Sequence, residues 1–448
     1  MLKKLLLLAW PIVLARATQS VVGFCDALMV APLGEEALAA ATTGSLNAFA
    51  VLILPMGTVF IVQSFAAQLS GRGELSAVRR YAWYGLLIAL LSGVLTAAAT
   101  PFIPGLLGLF DYAPGVHGQM STYLALRLWS VVPAIAVEAL GNWYGGLGNT
   151  RISMIAGLTT MVANVIGNYL LIEPHFGLPG YGVAGAAVAS MAASWLGFAV
   201  IALIFLCDRQ TPLAGAPAFR LGEFKRVLRF GLPNGVNWFL EFAAFTLFIN
   251  VVVAHLGTSV LAAFNVVMQI NLISFMPAFG IGSAGAILVG EAIGRRALDE
   301  VHTIVRLSAG VAMLWMASVG TIYFLTPASL MQLFEPKDAP ASTMLETGTL
   351  MLRMAALWQL FDALAMTISE ALRAAGDTTW CMIARVLLAW GIFTPLAWAS
   401  ILLWGGGVIT LMISLIAYLC LLALAFYLRY RSGRWRDIQL LESQEALV

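Results

Sequence analysis

Three acidic residues interrupt long apolar stretches of this 448-residue sequence: Asp26, Glu241 and Asp362. Asp26 stands within VVGFCDALMV, Glu241 within NWFLEFAAFTLF and Asp362 within WQLFDALAM. A carboxylate in such surroundings is costly to bury and by default marks a functional site. Each of them can hold a proton or a hard cation such as Na⁺ and give it up when its surroundings change.

Two asparagines can assist the first of these acids. Asn164 and Asn168 are one helical turn apart, so they share a helix face. We expect Asp26, Asn164 and Asn168 to converge in one polar pocket, where amide oxygens complete a Na⁺ shell begun by the carboxylate. The alternatives are an interfacial acid near the outer surface and ordinary interhelical hydrogen bonds from the asparagines.

Glu241 and Asp362 have no Lys or Arg close in sequence. Two unpaired acids at membrane depth lose hydration and repel each other, which suits proton exchange. The alternative is a pair of protonated acids hydrogen-bonded within the packing. Trp358, one turn before Asp362, offers a ring face that holds a cation or simply packs.

Other charges in apolar stretches have local explanations. Glu370 lies three residues before Arg373, so an ion pair within one helix is expected. Arg16 is too far along its helix from Asp26 to be its partner. We expect Arg16 to reach toward the inner surface or to cap another acid.

The elements that carry these residues are transmembrane helices. The chain is 61% hydrophobic and 10% charged, with a mean hydropathy of +0.91. This composition excludes a soluble enzyme, a disordered chain and a nucleic-acid-binding protein. It predicts an all-α membrane protein with twelve transmembrane helices. The predicted spans are roughly 5–31, 37–67, 80–102, 121–146, 152–172, 183–206, 230–254, 260–290, 303–326, 345–374, 380–402 and 408–428.

Basic residues predict the orientation of these spans. Most of the 24 Lys and Arg residues, Arg385 among them, fall in loops and helix ends on one side. The exceptions are Arg16, Arg127, Lys337 and Arg353. Positive charge concentrates on the cytoplasmic side of membrane proteins, so both termini are expected to be cytoplasmic.

Segments of the first half recur in the second half at a nearly constant interval. WPIVLARATQ (10–19) resembles LPNGVNWFLE (232–241), LGEEALAA (33–40) resembles LGTSVLAA (256–263), and GLGNT (146–150) resembles AAGDT (374–378). The repeat predicts two pseudo-symmetric six-helix bundles, 1–215 and 216–448, related by an axis along the membrane normal. A polar linker over 208–225 joins them. A duplication that merely built a large bundle is the alternative.

The sequence lacks the motifs of an ATP-driven pump or an enzyme. No Lys follows a Gly, so the phosphate-binding G-K-[ST] is absent, and there is no H-E-x-x-H or G-x-S-x-G. The four Cys and four His form no metal or disulfide pattern. No cofactor is expected, and uphill transport would draw on an ion gradient.

Three segments resemble the multidrug and toxic compound extrusion (MATE) transporters. They are PIVLARATQSVVGFCDALMVAPLGEEALAA (11–40), NVIGNYLLIEPHFGLPGYGVAGAAVA (164–189) and LWQLFDALAMTISEALRAAGDT (357–378). The resemblance spans nearly the whole chain and is greatest to the NorM-like bacterial exporters, which place acids at Glu241 and Asp362. The sequence departs from the family pattern at Glu173, at Arg16 and at Asn168, where an archaeal-type subgroup has Asp.

The resemblance implies a twelve-helix, two-lobe fold and export of cationic, amphipathic compounds in exchange for Na⁺ or H⁺. The expected cation-coupling and substrate residues are Asp26, Asn164, Asn168, Ser190, Glu241, Trp358 and Asp362, with Asp26, Asn164 and Asn168 as a Na⁺ site. Ser190 enters because the family often has Thr there. The expected partners are small cationic substrates and membrane lipid, with no nucleic acid, and the protein is expected to be monomeric.

Three alternatives to a multidrug antiporter stay open at this point. A flippase for a lipid-linked precursor would need a basic cavity, part of which Arg16, Arg127 and Arg353 would supply. An exporter of an endogenous metabolite is the second. An intramembrane enzyme is the third, but the sequence contains no metal-binding or nucleophile motif that would support it.

Overall fold

The structure, a computed structural model, describes residues 1–110, 112–174, 179–208, 219–334 and 342–441. This part of the chain contains helices and turns but no β-strand. Twelve of its helices are long and apolar enough to cross a membrane. They are α1 (Leu2–Leu33), α2 (Glu35–Arg72), α3 (Leu75–Leu107), α4 (Pro114–Gly146), α5 (Arg151–Leu171), α6 (Gly182–Cys207), α7 (Leu221–Val253), α8 (Thr258–Gly294), α9 (Leu298–Leu325), α10 (Thr343–Ala375), α11 (Thr378–Leu403) and α12 (Val408–Arg431).

Each predicted span corresponds to one of these helices, and most helices extend a few residues beyond the prediction. These segments form helices because lipid offers no hydrogen-bond partner to backbone polar groups, whereas a helix pairs its own N–H and C=O groups. The predicted all-α membrane fold is confirmed. Asp111, Lys337 and much of the linker lie outside the described residues.

The repeat is visible in the turns between helices. Gly34, between α1 and α2, and Gly257, between α7 and α8, have φ angles of 107° and 103°. Such angles are open to glycine and strained for other residues. Gly73 after α2 and Arg296 after α8 are both left-handed, with φ 76° and 62°. Equivalent sequence positions therefore adopt equivalent backbone conformations.

Packing divides the chain into two compact units. The N-terminal unit is Leu14–Gly235, and the C-terminal unit combines Met1–Val13 with Val236–Val448. The first turns of α1 thus pack in the C-terminal unit, and the first part of α7 packs in the N-terminal unit. The boundary predicted at 215/216 lies outside the described residues, and the division into those halves stays a prediction.

Specific contacts within each unit hold the start of α1 in the C-terminal unit and the start of α7 in the N-terminal unit. We call these two segments the exchanged helix ends. In the C-terminal unit, Leu5 and Leu8 of α1 lie in the apolar core with α8, and Lys4 pairs with Glu291 at 2.7 Å. In the N-terminal unit, Asn234 Nδ2 of α7 donates to the carbonyl of Gly57 in α2 at 2.7 Å. Gly235 is equally close to α2, since a Cβ there would lie 2.3 Å from the Leu54 carbonyl.

Candidate functional site

A buried polar cluster surrounds Asp26 in the N-terminal unit. Asn164 and Asn168 Nδ2 donate to Asp26 Oδ1 at 3.0 and 2.6 Å. Ser190 Oγ donates to Asp26 Oδ2 at 3.0 Å and accepts from Asn164 Nδ2 at 2.9 Å. Both asparagines are fully buried, and Asp26 is 8% exposed. The expected convergence of Asp26, Asn164 and Asn168 is confirmed, and Ser190 joins them.

Close packing of α5 on α6 positions this cluster. A Cβ at Gly167 of α5 would lie 3.0 Å from the Ala189 side chain, immediately before Ser190. One turn earlier in α6, a Cβ at Gly185 would lie 2.2 Å from the Leu171 carbonyl. Small residues let the two backbones approach closely. The asparagines and the serine are thereby held within hydrogen-bond reach of α1.

The cluster surrounds the Asp26 carboxylate with hydrogen-bond donors. Its three neighbours all present N–H or O–H groups to Asp26, and hydrogen bonds to the charged form stabilise that form. The amide oxygens do not face the carboxylate as a Na⁺ shell would require. Asn168 Oδ1 is buried without a hydrogen-bond partner among the described residues. The Na⁺ site at Asp26, Asn164 and Asn168 stays a prediction.

Arg16 lies beside a different acid of the same unit. Its Nη1 and Nη2 donate to Glu138 of α4 at 3.1 and 2.5 Å, a two-bond ion pair. Asn142 Nδ2 donates to the same carboxylate at 2.9 Å. The expectation that Arg16 caps an acid other than Asp26 is confirmed, and Glu138 is that acid.

The expectation that Glu241 is unpaired is wrong. Arg385 Nη1 of α11 donates to Glu241 Oε2 of α7 at 2.5 Å. The sequence hides this partner because 144 residues separate the two. Arg385 was assigned to the inner basic set, but it lies two turns inside α11, over the ring of Phe426.

Asp362 differs from Glu241 in having no direct partner. Within the described part of the chain, its carboxylate takes part in no hydrogen bond or ion pair. It interacts electrostatically with both Glu241 and Arg385. The structure thus groups Glu241, Asp362 and Arg385 within the C-terminal unit. Their part in coupling stays a prediction.

Helix irregularities lie next to this group. α7 turns π-helical at Phe248–Val253, and α11 does so at Leu387–Phe393 and Ala399–Leu403. Pro395, which cannot donate a backbone hydrogen bond, follows the first irregular segment of α11. The rings of Phe248 and Phe393 are 4.9 Å apart. Such bulges recur at functional sites, because they displace the helix backbone locally.

Trp358 lies one turn before Asp362 on α10. It is 2% exposed and belongs to an apolar core, so in this structure its ring packs rather than facing a binding surface. The next residue, Gln359, donates from Nε2 to Asn271 Oδ1 of α8 at 2.8 Å. The expected pair of Glu370 and Arg373 is confirmed at 2.5 Å.

Comparison with known proteins identifies the family of this chain. The MatE family model matches residues 11–170 and again 236–399. The chain belongs to the MatE family. Because one MATE model matches two successive segments, the match also supports the internal repeat. The sequence motifs at 11–40, 164–189 and 357–378 are thus placed in a multi-pass transporter of the MATE family.

MATE relatives align over most of their length. The probable multidrug resistance protein NorM of Rhizobium meliloti is 31% identical over 404 residues, covering 88% of this chain and 85% of that protein. The multidrug resistance protein PmpM of Pseudomonas aeruginosa is 30% identical over 413 residues, covering 89% and 83%. The resemblance to NorM-like bacterial transporters is confirmed.

Solved MATE structures share the fold. A MOP superfamily transporter from Pyrococcus furiosus matches with a TM-score of 0.87 at 19% identity, covering 97% of this chain and 96% of that chain. A MATE transporter in complex with MaL6 gives the same score and identity, covering 98% and 97%. The expectation of a MATE-type fold is confirmed.

Proposed function

We propose that this protein is a secondary antiporter that exports cationic, amphipathic toxic compounds in exchange for inward movement of Na⁺ or H⁺. One observation carries the proposal: a MATE chain holds, in its N-terminal unit, a buried aspartate with three hydrogen-bond donors and, among the described residues, no ion-pair partner. An ionised acid without a resident counter-ion is free to accept an exchanged one.

The Asp26 cluster supports a two-state exchange. When Asp26 is ionised, the amides of Asn164 and Asn168 and the hydroxyl of Ser190 donate to it. When Asp26 is protonated, it becomes a donor and needs an acceptor. Rotation of the Asn168 amide would supply that acceptor, since Asn168 Oδ1 has no hydrogen-bond partner in the described part of the chain. The loss of charge weakens the hold on a cationic substrate, so proton entry and substrate release are coupled.

The second unit contributes another exchangeable acid. Asp362 has no direct partner among the described residues, whereas Arg385 neutralises Glu241. We infer that Asp362 exchanges cations together with Asp26. Both termini face the cytoplasm and the protein acts in the bacterial cytoplasmic membrane, as the distribution of Lys and Arg supports.

Charge pairing disfavours the lipid-linked flippase. An anionic headgroup would need free basic side chains, and Arg16 was one of three candidates. The guanidinium of Arg16 is held by both oxygens of Glu138, so it offers no net positive charge. Arg353 is exposed on α10 rather than buried. Two of the three candidate arginines are thus neutralised or exposed, whereas the Asp26 carboxylate is buried with neutral donors, which favours a cationic substrate.

The proposal is tested by ethidium efflux from proteoliposomes with Na⁺ and H⁺ gradients imposed separately. We expect the wild-type protein to pump with at least one gradient and Asp26→Asn to lose gradient-driven efflux. Asp299→Asn, which neutralises an exposed acid at the start of α9, serves as the matched control and keeps wild-type efflux. Efflux by Asp26→Asn at the wild-type rate would contradict the role of Asp26.

A further inference from the structure

Arg385 is a built-in cation inside the C-terminal unit. Its side chain is 15% exposed, and its Nη1 lies 2.5 Å from Glu241 Oε2. The guanidinium also stands over the Phe426 ring, 5.4 Å from the centroid. A guanidinium is never deprotonated at physiological pH. Glu241 is therefore held by a permanent positive charge that cannot diffuse away.

The pairing leaves one uncompensated charge among the three groups. Glu241 and Asp362 bring two negative charges, and Arg385 brings one positive charge. Because Arg385 contacts Glu241 directly and reaches Asp362 only electrostatically, the exchangeable charge resides on Asp362. Tyr418 of α12 interacts with all three of these groups. Among the described residues, α8 and α9 add no titratable group to the interactions of Asp362.

The two coupling ions differ in what they need from this group. A hard metal cation replaces its hydration shell with several oxygen ligands. Glu241, whose Oε2 is already bonded to Arg385, is a poor ligand, and a metal ion there would stand close to the guanidinium charge. A proton needs a single carboxylate oxygen. The arrangement is therefore suited to a proton and unsuited to Na⁺.

We propose that Arg385 is a resident cation that occupies Glu241 and excludes Na⁺ from the C-terminal unit, so that Asp362 alone exchanges a proton there. The inference rests on the proposed antiport function, of which it specifies the coupling ion at one site. By holding Glu241, Arg385 determines which coupling ion the C-terminal unit accepts. It also competes with a cationic substrate for Glu241, which weakens substrate binding and speeds release.

The first test measures binding of ²²Na⁺ to purified protein, in an Asp26→Asn background that removes the other predicted ion site. We expect no ²²Na⁺ binding that depends on Glu241 while Arg385 is present. Arg385→Gln should create such a site, with a ²²Na⁺ affinity at least about tenfold above any residual Glu241-dependent binding, since removing one nearby positive charge is worth more than 1.4 kcal/mol. Adding Glu241→Gln should abolish the new site. Arg385→Lys keeps the charge and should still exclude Na⁺.

Two outcomes overturn the inference. One is Glu241-dependent ²²Na⁺ binding with Arg385 intact, and the other is no gain of binding in a monodisperse Arg385→Gln protein. If Arg385→Gln fails to fold, the inference is tested with the Asp26→Asn protein and its Arg385→Lys form. Glu241-dependent Na⁺ binding in either protein contradicts exclusion of Na⁺ by Arg385. The absence of such binding in both proteins supports exclusion. Binding needs no transport, so a protein that fails to pump ethidium disproves the antiporter without affecting this result.

The second test measures binding and transport of tetraphenylphosphonium. It distinguishes an effect of Arg385 on substrate binding from an effect on folding. We expect Arg385→Gln to bind the cation more tightly and to release it more slowly, so that KM and kcat both fall. A residue that only stabilised the fold would lower the yield of active protein and leave KM unchanged. A KM that stays at the wild-type value would contradict competition at Glu241.

Discussion

At the scale of residues, each unit contains a glutamate paired with an arginine of a different helix and an aspartate that has no ion-pair partner among the described residues. Arg16 holds Glu138 in the N-terminal unit, and Arg385 holds Glu241 in the C-terminal unit. Asp26 instead has neutral donors, and Asp362 has no direct partner among the described residues. Both ion pairs are partly buried, so desolvation offsets much of their attraction and they add little stability. We infer that they set the local charge at which the free aspartates work.

Removing a donor from Asp26 should weaken substrate binding. Asn168 Nδ2 donates to Asp26 Oδ1 at 2.6 Å, and a hydrogen bond to a charged group contributes about 1.5–3 kcal/mol. Without it the ionised form of Asp26, which we propose attracts cationic substrates, is less stable. We expect Asn168→Ala to lower the affinity for tetraphenylphosphonium about tenfold or more in equilibrium binding.

The control for this prediction is Asn250→Ala. Asn250 is exposed on α7, and its amide donates only to the Thr246 carbonyl of the same helix. Its replacement should leave the affinity unchanged. If Asn168→Ala binds as tightly as the wild-type protein, Asn168 serves helix packing rather than the ionised carboxylate.

At the scale of elements, the two halves end their second helix with the same capping motif. After α2, Gly73 is left-handed and Glu74 N–H bonds to the Leu69 carbonyl at 3.0 Å. After α8, Arg296 takes the place of Gly73, and Ala297 N–H bonds to the Ala292 carbonyl at 2.9 Å. Glycine is favoured at this position because other residues are strained by their Cβ. Arg296 is the one non-glycine residue with positive φ in the described chain.

Replacing Arg296 with glycine should stabilise the protein. Relief of the left-handed strain is worth about 1 kcal/mol. We expect Arg296→Gly to raise the midpoint of thermal unfolding of purified protein. Arg296→Ala removes the same charge but keeps a Cβ, so it should not raise the midpoint. Equal stabilisation by both variants would assign the effect to the charge.

Filling the contact between α7 and α2 should destabilise the N-terminal unit. A Cβ at Gly235 would lie 2.3 Å from both the Leu54 carbonyl and Thr58 Oγ1. Overpacking of this kind costs about 1–3 kcal/mol. We expect Gly235→Ala to lower the unfolding midpoint and the yield of monodisperse protein. The control is Gly310→Ala in α9, whose Cβ meets no atom within 4 Å, so its unfolding midpoint should equal that of the wild type. If Gly235→Ala also unfolds at the wild-type midpoint, α7 can shift away from α2 at no cost.

At the scale of the whole molecule, the helix ends exchanged between the units link the two sequence halves. Residues Met1–Val13 belong to the C-terminal unit, and α7 up to Gly235 belongs to the N-terminal unit. A fragment that ends at the predicted boundary therefore lacks part of the packing of its own unit. Each half then exposes apolar surface that the other half normally covers.

Separate expression of the halves should reveal this exchange. We expect fragments 1–215 and 216–448 to aggregate when made alone and to copurify, through a tag on one of them, when made together. Shortening the first fragment to 14–215 removes the turns of α1 that pack in the C-terminal unit and should reduce the copurified amount. Halves that purify separately as monodisperse proteins would contradict the prediction.

The sequence alone determined the membrane class, the twelve helices and the Asp26 cluster. Hydropathy is a local property, and in lipid it leaves the backbone little choice but a helix. Asn164 and Asn168 were predictable as a pair because one turn separates them. The family motifs added Asp26 and Ser190 to the same predicted site.

Only the tertiary structure decided which charges meet. Arg16 and Glu138 are 122 residues apart, and Arg385 and Glu241 are 144 apart. Whether two such side chains touch depends on which helices are neighbours and how each is rotated about its axis, and no local pattern encodes either. Arg385, which its sequence position predicts to be a basic residue of the inner surface, is thus the ion-pair partner of Glu241, and Asp362 has no direct partner among the described residues.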